Sequence, residues 1–249
     1  MSIQQKISPA WYEEWFESEY YHILYNARGR RDAKLFLDNL NSYLKLYSKQ
    51  QILDLACGRG RHVNYLASIG LSVTGIDLSA PSIIYAKKNA TNNASFYIHD
   101  MREPFGDNSY QIILNLFTSF GYFEDIKDNI KVITNISNAL TLHGKFILDY
   151  FNPNYLKQHL VKQEIKKTND ITFHIKKNIQ DNFVYKFIKF KDKGKDFMFT
   201  ERVMLIELEQ IKCWFSDMNL QLVEVFGNYH LDPYCSNTSQ RMIVIAEKC

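Results

Sequence analysis

The chain has 249 residues, 46% hydrophobic and 23% charged, with 30 basic and 27 acidic side chains for a net charge of +3. At about 150 residues per domain this is one large or two small domains, with apolar material enough to exclude global disorder. The charge is too small for a general polyanion binder, and no apolar run approaches the ~18 residues that cross a bilayer. The opening MSIQQKISPAWYEEWFESEY puts acids and tyrosines where a secretory signal requires an apolar stretch. A soluble, cytoplasmic protein is expected.

Cys57, Cys213, Cys235 and Cys249 form no CxxC pair and do not read as a disulfide scaffold. The seven histidines include no HExxH and no i,i+4 pair, so no metal is expected. In chain order, the first 48 residues read as helical. Ser8-Pro9 offers a cap and first-turn residue, Trp11 to Tyr25 is crowded with aromatics, and Gly29 offers a stop. A second helix over about 31–47 carries Phe36, Leu37, Leu40, Leu44 and Tyr47 at helical spacing.

The pattern then changes to alternating strands and helices. Strands are read at 51–55, 71–76, 95–99, 110–116 and 145–149; helices follow the first two and fill 125–140. This alternation predicts a parallel sheet covered on both faces. From 157 to 206 the rhythm becomes two-residue alternation (Ile171, Phe173, Ile175; Phe183, Tyr185, Phe187), with turns at Gln180-Asp181-Asn182 and Lys193-Gly194-Lys195. That stretch reads as an antiparallel insertion. A helix at 207–218 and strands at 220–227 and 241–247 rejoin the main body. The expected layout is a cap over 1–48, a Rossmann-like domain over 49–156 and 207–249, and an insertion over 157–206.

The central signal is LDLACGRGRH followed by GID. Gly58 and Gly60 allow a turn whose backbone approaches a ligand, next to a helix N-terminus with unpaired N–H groups. Asp77, at the tip of the next strand, is placed by a right-handed βαβ unit beside that turn, where a carboxylate accepts from a ribose diol. A nicotinamide dinucleotide requires a third glycine, and Val63 occupies that place. S-adenosylmethionine (SAM) has no phosphate, and Asp54 just before the loop suits its ammonium.

Asp-x-x-Cys-Gly-x-Gly over 54–60 resembles the first motif of class I SAM-dependent methyltransferases. The likeness continues in Asp77-Leu78-Ser79, His99-Asp100-Met101, Asn115-Leu116-Phe117 and Leu142-His143-Gly144. His143 stands where the family usually has the first of two glycines. Taken singly, Asp100 could be a strand-end cap and Asn115 a loop residue; their ordered recurrence after successive strands favours the resemblance. It implies an α/β, Rossmann-like fold with a seven-stranded, mostly parallel sheet, helices on both faces and an antiparallel last strand. It also implies SAM as cofactor and S-adenosylhomocysteine as product. On the resemblance, the SAM-binding residues are Asp54, Ala56, Cys57, Gly58, Gly60, Asp77, Leu78, Asp100, Met101, Asn115 and Leu116, with Tyr25 or Arg28 reaching the carboxylate from a covering N-terminal helix.

The implied reaction is a direct in-line displacement that needs positioning and water exclusion but no covalent enzyme intermediate. Ser119, Tyr122 and Tyr150 follow strands 4 and 5 and are substrate candidates; Asp149 and His230 are weak candidates for a base. Arg28, Arg30, Arg31, Arg59 and Arg61 cluster in sequence and raise the expectation of an acidic small-molecule substrate. The N-terminal aromatics are either core packing or a lid. Between 157 and 198 there are 11 lysines and 5 acids, which keeps RNA methylation open as an alternative. The segment has no arginine and its lysines alternate with apolar residues, so nucleic acid is disfavoured. A non-catalytic SAM-binding protein and an NAD-dependent dehydrogenase are the remaining alternatives, and the chain is expected to be a monomer or homodimer.

Overall fold

The structure is a computed structural model that describes residues 11–25 and 30–249. The expected Ser8-Pro9 cap, Gly29 stop and Arg28 lie outside the described residues. The aromatic N-terminal run forms two helices, α1 (Trp11–Glu17) and α2 (Glu19–Tyr25), where one was expected. Ser18 divides them: its Oγ accepts from the Tyr20 N–H at 3.1 Å, the geometry of a helix cap. α3 (Arg30–Leu44) follows.

The main body then alternates as expected: β1 (Gln51–Leu55), α4 (Arg61–Ser68), β2 (Ser72–Asp77), α5 (Ala80–Lys88), β3 (Ala94–Ile98), β4 (Tyr110–Asn115), α6 (Ile126–Ala139) and β5 (Leu140–Phe151). β5 begins five residues before the expected start. His143 supplies the left-handed turn there with φ +61°, so the departure from a glycine pair keeps the turn at some backbone strain. A short helix not read from the sequence, α7 (Pro153–Gln158), is started by Asn152, whose side chain accepts from the Asn154 N–H, with Pro153 in the first turn.

The insertion is a four-stranded antiparallel sheet, β6 (Gln163–Thr168), β7 (Ile171–Gln180), β8 (Phe183–Asp192) and β9 (Lys195–Met204), in sequential order. Three two-residue turns join it: Asn169-Asp170, Asp181-Asn182 and Lys193-Gly194, each with both residues at positive φ. This is the turn type whose twist suits a hairpin. α8 (Leu208–Asp217), β10 (Leu220–Phe226) and β11 (Arg241–Lys248) complete the chain.

The main sheet runs β10-β11-β5-β4-β1-β2-β3, and β11 is antiparallel to both neighbours. The seven-stranded Rossmann-like class I methyltransferase architecture expected from the sequence is thus present. The strand order reverses between β1 and β4, and the crevice beyond the carboxyl ends at such a reversal is where α/β sheets bind ligands. One core lies under α6 and α8 and another under α3, α4 and α5. A third joins Trp11, Trp15, Tyr20 and Leu24 to Ile171, Phe173, Ile175, Ile188 and Phe190. The N-terminal region therefore divides by packing: α1 and α2 go with the antiparallel sheet, whereas Phe36, Leu37 and Leu40 of α3 go with the main body.

Gly60 sits at φ +75°, and a Cβ there would stand 2.5 Å from the Phe96 ring. Gly60→Ala combines a strained backbone with overpacking, and a loss of about 2–3 kcal/mol in thermal or urea unfolding is expected. A change within 0.5 kcal/mol (order of magnitude of a neutral surface substitution) would contradict this packing.

Candidate cofactor and active site

β1 runs straight into a left-handed residue, Ala56 at φ +59°, followed by Gly58 at +55° and Gly60 at +75°. Such strain persists only where the surroundings enforce it. Here the Cys57 N–H donates to Ile76 O at 3.0 Å and the Gly58 N–H to Asp77 Oδ2 at 2.8 Å. The other oxygen of Asp77 accepts from the Ser79 N–H at 2.8 Å. Burial pushes the Asp77 carboxyl up, and these two N–H donors pull against it. Each carboxylate oxygen keeps a lone pair beyond these bonds.

Asp54, one turn earlier on β1, is 1% exposed. Among the described residues its Oδ2 has no hydrogen-bond partner, and His62 Nδ1 stands 3.6 Å away. A buried carboxylate in that state calls for a polar or cationic ligand. A Cβ at Gly58 would meet nothing within 4 Å, so the space over the loop is free for one. Gly60, by contrast, is required by Phe96. Val63, at the third-glycine place, is fully buried against Gly75, where a Cβ would lie 2.9 Å from its Cγ2. Helix and strand thus approach closely through a glycine on β2, and the loop lacks the pyrophosphate signature.

A cleft of about 780 Å³, counting its open mouth, lies against these strand tips. Ala56, Gly58, Ile76, Asp77 and Leu78 line one side; Ser82, His99, Asp100 and Met101 line the next; Ser119, Tyr122 and Phe123 come from the loop after β4. Tyr12, Phe16, Tyr21 and His22 of α1 and α2 close it. Asp100 is gripped by Arg102, whose Nη2 lies 2.6 Å from Oδ2 and whose Nε lies 3.1 Å from Oδ1. Against the burial that raises it, this pair holds the Asp100 carboxyl below its ordinary range.

Several expected site residues stand elsewhere. Cys57 is buried under the loop, its thiol pushed up by burial, and is not among the cleft-lining residues. Asn115 is fully buried and ties the β1 tip to the next loop, donating to Leu55 O at 3.3 Å and Ser119 O at 3.2 Å. Leu116 is core. Tyr25 donates its hydroxyl to Glu201 at 2.6 Å rather than facing the cleft. Tyr150 is fully buried, its hydroxyl donating to Met204 O.

The two weak base candidates are corrected by the geometry. Asp149 is fully buried and bonded to Arg241 (2.6 Å), the Phe117 N–H (2.8 Å) and the Tyr229 hydroxyl (3.2 Å). It braces Phe117 and Thr118, both at positive φ, and has no face on the cleft. His230 is exposed on the loop between β10 and β11, outside the cleft. Of the clustered arginines, Arg59 and Arg61 stack on Tyr85 and Phe117, at 4.7 and 5.0 Å from the ring centres.

Sequence reasoning missed His22 and Ser82 as cleft residues. For the lid, a signal existed: Tyr12 and Phe16 are spaced i,i+4 beside the pair Trp11 and Trp15, giving α1 two apolar faces. Trp11 and Trp15 take the antiparallel sheet, and Tyr12 and Phe16 take the cleft.

Comparison with known proteins decides the family. Residues 46–198 match the family model described as a methyltransferase domain. The chain belongs to this methyltransferase family. A protein of Geobacillus sp. (strain WCH70), provisionally named a methyltransferase, is 25% identical over 82% of this chain and 88% of its own length. Among solved structures, a SAM-dependent methyltransferase from Clostridium acetobutylicum superposes with a TM-score of 0.77 at 18% identity, covering 92% of this chain and 96% of that one. An amino pentose methyltransferase of Micromonospora echinaspora, solved with SAM bound, gives 0.70 at 16% identity, covering 93% and 98%. Among the described residues of this chain no helix is long and apolar enough to cross a membrane, and no cluster of His, Cys, Asp and Glu would hold a metal.

His22 of the methyltransferase is driven down to about 4 from 6.5, first by burial and then by Arg59. Between those values the unfolded chain binds a proton that the folded chain refuses, so stability falls as pH drops from about 6.5 towards 4. Thermal unfolding across that window should show a shallower decline for His22→Gln than for the parent; parallel curves would contradict the assignment.

Proposed function

We propose that the cleft binds SAM and that the enzyme transfers its methyl group to a small-molecule acceptor by direct in-line displacement. The observation that carries this reading is the convergence on one cleft of an open glycine loop and Asp77 and Asp100 at successive strand tips, with an orphaned buried Asp54 beneath the loop. In this reading Asp54 meets the ammonium, directly or through water, and the Gly58 backbone lies along the methionine portion. Asp77 accepts from the ribose hydroxyls through its two remaining lone pairs. Asp100, already aimed by Arg102, takes the adenine amine beside Met101 and Leu78. SAM brings a methyl group already activated on a sulfonium, so the chain's own task is to orient and to exclude water. Tyr12, Phe16, Tyr122 and Phe123 serve that task as the apolar side of the cleft.

The acceptor we favour is a neutral or amine-bearing small molecule. The described cleft wall carries aromatic rings and two carboxylates, and among the described residues no arginine or lysine lines it, which supports a neutral or amine-bearing acceptor. Enzymes of related fold include an amino pentose methyltransferase and a sugar N-methyltransferase, which fits an enclosed small-molecule site. Part of the insertion's lysine surplus turns inward: Lys177 lies 3.2 Å from Glu164 and Lys186 3.4 Å from Glu201. Those lysines are spent on internal pairs, which favours a small acceptor over RNA.

Titration calorimetry with SAM, S-adenosylhomocysteine and NAD tests the reading. The parent should bind both SAM and its demethylated product but not NAD. Asp77→Ala should weaken SAM by roughly 10–100-fold, the worth of one to two hydrogen bonds to a charged acceptor. Binding of NAD instead, or an Asp77→Ala affinity equal to the parent's, would overturn it. A screen of metabolite extracts with methyl-labelled SAM then identifies the acceptor.

A further inference from the structure

The lid over the cleft is fastened at a place remote from it. Trp15 is fully buried, and its indole Nε1 donates to Glu201 Oε1 at 2.7 Å. The Tyr25 hydroxyl donates to the same oxygen at 2.6 Å, and Lys186 in turn donates to that hydroxyl. Lys186 Nζ also lies 3.4 Å from Glu201 Oε2, and the two residues are direct cross-strand neighbours on β8 and β9. One half-buried carboxylate thus receives α1 through Trp15 and α2 through Tyr25. Trp15, Tyr20 and Tyr25 all send their hydrogen bonds to the antiparallel sheet, with Tyr20 reaching Asp192 at 2.9 Å. Toward the main body the lid's described residues make ring contacts, such as Tyr12 on Phe123 at 5.9 Å and Phe16 on Tyr122 at 5.4 Å.

We infer that Glu201 is a positioning residue for the donor site: it locks both lid helices to the antiparallel sheet and thereby holds Tyr12, Phe16, Tyr21 and His22 over bound SAM. The inference rests on the reading that the cleft binds SAM and adds what controls the residence of SAM there. Ring contacts are non-directional and can slide, whereas two hydrogen bonds to one charged acceptor fix both helices in register. A donor enclosed by this wall leaves only when the wall lifts, so loosening the lock speeds release.

The test is stopped-flow tryptophan fluorescence, chasing bound SAM with excess S-adenosylhomocysteine, alongside steady-state kinetics. Glu201→Ala should release SAM at least tenfold faster and raise the KM for SAM more than it lowers kcat. Glu201→Gln keeps an oxygen for Trp15 and Tyr25, so release should return to within threefold of the parent. Should Glu201→Ala fail to fold, Tyr25→Phe removes only the hydroxyl that links Glu201 and Lys186 and should speed release about threefold. A folded Glu201→Ala with parental release and KM, or in its stead a parental Tyr25→Phe, would overturn the inference, even if the melting temperature falls. A parent chain that binds no SAM would instead overturn the site reading on which it rests.

Discussion

The active end of this molecule depends on a single bond across two strands, from the Gly58 amide to the Asp77 carboxylate at 2.8 Å. β1 and β2 pair in parallel with Leu55 opposite Ile76, so the residues just past each strand end are brought side by side. The turn at Ala56–Gly60 then bends back over the sheet in a backbone conformation that costs energy, and the bond from Gly58 helps to repay it. The same bond aims the carboxylate. A turn held this way is set before any ligand arrives, which lowers the ordering cost of binding.

A second brace of the same kind supports the loop after β4. Phe117 and Thr118 are both left-handed, and Asp149 on β5 accepts the Phe117 N–H while Arg241 on β11 pairs with it and donates to Thr118 Oγ1 at 3.0 Å. Arg241 stays charged because the Asp149 and Tyr229 fields outweigh the burial that opposes its charge. Removing either partner would leave a buried charge unpaired, a costly arrangement. Acids of similar appearance in the sequence therefore serve different ends: Asp77 and Asp100 face the cleft, Asp54 lies beneath it, and Asp149 supports a loop from inside the core.

Much of this was legible in the sequence. Strand–helix alternation with a glycine loop between the first strand and helix gave the parallel sheet, and Asp-x-x-Cys-Gly-x-Gly with three later strand-end motifs gave the cofactor class. Hairpin turns were readable at Asp181-Asn182 and Lys193-Gly194, because small polar residues accept positive φ cheaply. The Asn169-Asp170 turn carries the same chemistry and escaped only because β6, a short edge strand of Gln, Glu and Lys, has little apolar alternation. Other features are not local. Nothing around Asp149 tells that Arg241, 92 positions later, consumes it, and nothing in Trp15 or Tyr25 points to Glu201. Of the arginine cluster, Arg59 and Arg61 stack on aromatic rings, contacts that no local pattern announces. The cap was read as one unit with α3 because helices following one another invite it, yet burial assigns α1 and α2 to the antiparallel sheet.

The strand tips of the main sheet and the two N-terminal helices thus meet at one cleft. Hydrogen–deuterium exchange with and without SAM tests this most directly. Saturating SAM should slow exchange together at residues 56–60, 77–79, 99–101 and 11–25, with the 235–240 loop unchanged as an internal control. Protection confined to other surfaces, or the same pattern produced by NAD, would contradict the account.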